Sequence, residues 1–191
     1  MRILGFLEFG AIVLGIIAMI AGQFFGLPKG FNLGIFLVGA GIALGGLESV
    51  WTRQMGFRLS GEPGDAYAGA PAVIWGLMVL MVGAAIVGFA YVRAEGLVRP
   101  TMDFLVRNPL VLVSAAGFLL AGTGALLVLN PQRRSHWAWR LFVRLPQMLA
   151  GALLIVAGLG VVGGGVWQRL DPRGFEKAAK PVFERVNKLR H

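Results

Sequence analysis

Two acidic residues, Glu8 and Glu48, stand inside long apolar runs of the chain. A carboxylate in a membrane-length apolar segment is costly and marks a candidate site for a proton, a cation or a polar headgroup. Lys29 lies near the centre of the turn between the two runs, with Glu8 21 residues before it and Glu48 19 after it. In an antiparallel hairpin those offsets set both carboxyl groups at nearly the same depth. Glu8 precedes Ala11 by three residues and Glu48 follows Gly45 by three, so each extends a small-residue helix face. At ~1.5 Å per residue Glu8 is about 8–9 Å inside its helix. Two carboxylates so close cannot both ionise cheaply, which is the chemistry of a proton or cation site in a small transporter or channel. Two other arrangements satisfy the same residues. Arg2, Arg53 and Arg58, expected on the same side, would neutralise the pair at the interface, or a partner subunit would supply the counter-charge. No second acidic pair lies deeper, which weighs against a continuous ion pathway.

The densest basic and aromatic cluster is Arg133-Arg134-Ser135-His136-Trp137-Ala138-Trp139-Arg140. Arg133, Arg134, Trp137, Trp139 and Arg140 suit an anionic headgroup, a cation–π contact or a docking hot spot on a partner protein, and also plain interfacial anchoring. His136 has no companion His, Cys or carboxylate at ligand spacing. The only other histidine is His191 and there is no cysteine, so a bis-His haem in the apolar runs and an iron–sulfur centre are both excluded. No nucleophile elbow, HExxH, Walker or dinucleotide motif occurs. The expectation is a non-catalytic protein with no cofactor, a bound lipid aside.

The elements that must hold these residues follow from composition. Of 191 residues 57% are hydrophobic and 14% charged, against about 45–50% and about 25% in soluble domains. This excludes a soluble globular enzyme and a disordered tail. A hydrocarbon core of ~30 Å takes about 20 apolar helical residues. Five segments qualify, at about 3–26, 31–50, 71–92, 109–129 and 145–167. The fold expected is an all-α, polytopic membrane helix bundle over 1–170 with a basic amphipathic helix over 171–191. In that tail Phe175, Ala178, Val182, Val186 and Leu189 share one face. Leu27-Pro28-Lys29-Gly30 reads as the first tight turn, and Asn108-Pro109 as an N-cap followed by Pro at the first helical position. The Arg93–Asn108 loop alternates charge with apolar residues, as a short interfacial helix does. The net charge of +9 lies between the spans, so lipids and acidic partner proteins, not nucleic acid, are the expected counterparts. The short loops alone place the N-terminus on the cytoplasmic side, and the basic tail reverses that count.

Glycine supplies 29 of 191 residues, and most fall in stripes. Gly15, Gly22 and Gly26 share a face of the first span with Ala11 and Ala18. Gly34, Gly41 and Gly45 line the second, and Gly69, Gly76 and Gly83 the third. Ser114, Gly117, Ala121 and Gly124 line the fourth, and Gly151, Gly158 and Gly165 the fifth. Hydrophobicity cannot hold helices together in lipid, whereas small residues let backbones approach closely. The reading is one close-packing seam per helix, serving either the chain's own bundle or a neighbouring subunit. The function expected is an accessory subunit of a bacterial plasma-membrane assembly, such as an energy-transducing one, packed through these seams against other subunits and lipids. The alternative is a transporter or channel built on Glu8 and Glu48.

Overall fold

The computed structural model describes residues 2–54, 68–129, 140–178 and 180, and it is built of helices. Five of them are long and apolar enough to cross a membrane, so the chain is a polytopic integral membrane protein. They are α1 (Arg2–Phe24), α2 (Pro28–Thr52), α3 (Ala70–Ala94), α5 (Pro109–Leu129) and α6 (Leu145–Leu170). The short α4 (Val98–Arg107) joins the third span to the fourth. A π-helical turn, Arg140–Arg144, leads into α6. Pro146, in the first turn of α6, has no N–H to bond back to residue 142, so the regular ladder restarts only after it.

The turns differ from expectation in an instructive way. Pro28 is not a turn residue but the first residue of α2, where its missing N–H costs nothing. The turn lies one step earlier. Gly26 adopts φ +62°, and the Leu27 N–H donates to the Gly22 carbonyl at 2.8 Å. That is a Schellman closure of α1, which needs the left-handed conformation glycine supplies. Gly26 is therefore a helix stop, with nothing in contact range of an added Cβ, and does not belong to the α1 seam. The same device ends α3, where Gly96 has φ +69° and the Leu97 N–H donates to the Val92 carbonyl at 2.8 Å. Gly69, with φ +73°, is likewise the residue before α3 and not part of its seam. Its N–H donates to the Arg53 carbonyl at 2.8 Å, and Gln54 pairs with Ala68, so the loop between α2 and α3 is closed at its neck. Asn108 directly precedes α5, and its carbonyl accepts the Val111 N–H at 3.1 Å. Its Nδ2 donates to the Phe104 carbonyl at 3.0 Å and so finishes α4. The expected interfacial helix is α4 itself, an amphipathic segment with no buried residue.

Among the described residues the spans stand in an open row. α1 lies against α2, α2 against α3, α3 lightly against α5, and α5 against α6. Small residues set every close approach. A Cβ on Gly15 would meet the Gly34 carbonyl at 2.7 Å, and one on Gly34 the Gly15 carbonyl at 2.6 Å. Gly22 faces the backbone of Phe31, and Gly41 faces Ile12 and the Glu8 carbonyl. On the far hairpin Gly117 and Gly158 face each other, as do Gly124 and Gly151, while Gly165 meets Leu110 and Val113.

The rule of one seam per helix fails at α2. Gly34, Gly41 and Gly45 face α1, as the stripe predicts, but Gly39 and Gly46 face α3. A Cβ on Gly46 would meet the Leu80 amide nitrogen at 2.5 Å and the Gly76 carbonyl at 2.7 Å, while Gly83 rests on Ala43. α2 has a spanning neighbour on either side and carries a small-residue face toward each.

Of the expected tail helix, residues 172–178 are helical. Trp167 meets Phe175 edge-on with ring centroids 5.8 Å apart, which folds the start of this segment back onto the end of α6. Val182, Val186 and Leu189 lie outside the described residues.

Candidate functional site

Glu8 sits on the face of α1 that meets α2. Its residue is only 5% exposed, although it lies near a helix end. The reason is the glycine opposite. The Glu8 carboxyl group rests directly on Gly45, in the space a side chain there would occupy, with the carboxyl carbon 2.6 Å from an ideal Cβ position. One turn earlier Gly41 admits the Glu8 backbone carbonyl in the same manner. Two glycines of α2 thus form the berth of one glutamate of α1.

Glu48 is partly exposed and lies three residues beyond Gly45 on α2, at the same end of the hairpin. The two carboxylates that the sequence sets at one depth therefore stand at one end of the α1–α2 pair. Next to Glu48, Ser49 is fully buried, and its hydroxyl donates to the Gly45 carbonyl at 2.9 Å. Its Cβ is 2.9 Å from an ideal Cβ position on Gly76 of α3, so Ser49 marks where the α1–α2 and α2–α3 contacts meet.

Of the three arginines expected to neutralise the pair, Arg53 is described. It is exposed and ends α2 in the left-handed conformation, φ 53°. Arg58 and the side chain of Arg2 lie outside the described residues. So do Arg133, Arg134, Trp137 and Trp139; Arg140 opens the π turn before α6. Among the described residues no group of three His, Cys, Asp or Glu side chains could hold a metal ion.

Sequence reading missed a third polar group at this level. Trp75 begins five residues into α3, about 8 Å from the helix start at ~1.5 Å per residue. Its Nε1 is buried and has no hydrogen-bond partner. The signal was present, because Trp favours the ends of spans and buries its N–H only at a cost. Asn32, at the opposite end of α2, has a buried and unpartnered Oδ1. Nearby, the Arg93 guanidinium at the end of α3 stacks over the Phe31 ring, 5.0 Å from its centre.

Chemically, this end of the α1–α2–α3 layer offers one buried carboxyl, one half-exposed carboxyl and a free indole donor at similar depth. Such a set can share a proton, hold a small cation, or accept a basic group from a neighbouring chain. Comparison with family models, with curated proteins and with solved structures finds no match.

Proposed function

We propose that the chain is a non-catalytic accessory subunit that packs beside other integral membrane subunits and their lipids. The observation that carries this reading is the open row of spans. The glycine stripes are engaged within the chain, so they hold the row together. What remains outward is bulky. On α1, Phe6, Phe9, Leu14 and Phe24 are between 60% and 84% exposed, and on α6 Leu149, Leu153 and Val156 are between 59% and 71% exposed. Each of these helices has one spanning neighbour, so each offers a full apolar flank. Polar chemistry is scarce between those flanks. Purification of the full chain in mild detergent followed by native mass measurement tests the reading. A stoichiometric protein partner is expected, and a particle of this chain alone would contradict it.

The burial of Glu8 on Gly45 beside Glu48 supports a second reading, a proton- or cation-conducting site. The Glu8→Gln, Glu48→Gln double variant should then abolish pH-dependent flux in proteoliposomes. Unchanged flux, or none with the parent chain, would remove it.

A further inference from the structure

At the opposite end of the molecule from the carboxylates, a cavity of about 240 Å³ opens between α5 and α6. Its polar rim is Arg107, Asn108, Gln168 and Arg169, and its floor is Leu110, Val113 and Gly165. Three features of the fold build it. Gly165 lacks a side chain where one would strike Leu110 and Val113 at 2.9 Å, so the floor stays close and apolar. Asn108 holds its amide on the Phe104 carbonyl, which fixes the sharp passage from α4 into α5. That passage sets Arg107, from the last turn of α4, beside Arg169, from the last turn of α6. Pro109 and Leu110 of the first turn of α5 also line the cavity, where the positive end of the helix dipole favours a negative charge.

We propose that this cavity binds a phosphate group, and that the group belongs to an anionic phospholipid. Arg107 and Arg169 reach the cavity from different helices, and a guanidinium can engage the oxygens of a phosphodiester in a forked pair of hydrogen bonds. The volume lies below the ~300–1,000 Å³ of pockets for drug-sized ligands, so it takes a headgroup and not a larger solute. The apolar floor assigns the phosphate to a lipid, because Leu110 and Val113 belong to the spanning helix α5 and suit an acyl chain. Depth agrees: the rim residues stand where amphipathic α4 gives way to α5 and where α6 ends, the level of lipid phosphates. Two acidic groups lie nearby. Asp103 is one turn before Arg107 on α4, and Asp171 accepts the Gly174 N–H at 3.0 Å. Neither lines the cavity.

The test uses the full chain in a neutral mild detergent, with thermal melting followed at fixed ionic strength. Phosphatidylglycerol, phosphatidylcholine and inorganic phosphate are titrated separately. Phosphatidylglycerol is expected to raise the melting temperature saturably, with little effect from the other two. The Arg107→Gln, Arg169→Gln double variant should weaken that response at least about 10-fold, because it removes both forked pairs of hydrogen bonds to the phosphate. Lys29→Gln with Arg173→Gln removes the same charge from the same membrane face outside the cavity, and should weaken it less than about 3-fold. If the first double variant does not fold, Arg107→Lys with Arg169→Lys keeps the charge but loses the forked geometry, and should still weaken binding several-fold. Equal losses in the cavity and control variants would overturn the site in favour of general surface charge. An equal response to inorganic phosphate would overturn the lipid assignment, and no response to any of the three would overturn the proposal outright.

Discussion

Gly45 shows how much a single missing side chain does here. A methyl group at this position meets the movable end of Glu8, whereas one at Gly83 meets the backbone of Ala43. The two substitutions should therefore behave differently. Gly83→Ala forces α2 and α3 apart and should destabilise by about 1–3 kcal/mol, the usual cost of overpacking. Gly45→Ala should cost less in stability but dislodge the carboxyl from its berth. Thermal melting in detergent measures the first effect, and the carboxyl stretching band of Glu8 by infrared difference spectroscopy measures the second. Equal melting losses with an unmoved band would contradict the assignment of Gly45 as the berth. At this scale the sequence is informative where residue type is extreme. A glutamate inside an apolar run declares itself, and its three-residue offset from the glycine stripe foretells which face it takes. Trp75 does not declare itself, because the cost of its buried N–H depends on what surrounds it.

For the helices, periodicity identifies the spans and a small-residue stripe on each, but it cannot separate a packing glycine from a stopping glycine. Gly22 and Gly26 form one GxxxG stripe in sequence. Gly22 packs on Phe31, while Gly26 takes φ +62° and ends the helix. The distinction lies in the Leu27-Pro28 that follows, since Pro at the first position of α2 forces the turn to fall before it. Gly26→Ala should thus destabilise by roughly 1–2 kcal/mol through backbone strain with no steric clash. Gly88→Ala, in open space within α3, should be neutral or stabilise by about 0.5–1 kcal/mol. Melting curves of the two variants check this, and a destabilised Gly88→Ala would mean that its face is covered. An ideal Cβ on Gly158 lies 2.5 Å from the Gly117 carbonyl and 2.6 Å from the Ala121 amide nitrogen. Gly158→Ala should therefore part α5 from α6 and destabilise by about 1–3 kcal/mol in the same melting assay, and an unchanged melting temperature would contradict this seam.

For the whole molecule, the row arrangement was not legible in the sequence. Stripes of small residues say that helices approach closely but not which helix meets which. Hints lay in Gly39 and Gly46, off the main stripe of α2 and facing α3, and in Gly122, off the stripe of α5 and meeting Met78 of α3. A closed bundle would bury the outer faces of α1 and α6 on each other, whereas a row leaves both for lipid or another protein. The central claim, that these flanks are docking surfaces, is tested most directly by photo-crosslinking in the native membrane. A photoreactive amino acid is placed in turn at Phe9, Leu14, Leu153 and Val156, with Gln23, exposed near the end of α1, as the control outside the apolar flanks. The account predicts a discrete protein adduct of the same mass from two or more positions on one flank and none from Gln23. Adducts with lipid alone at all four flank positions would contradict it.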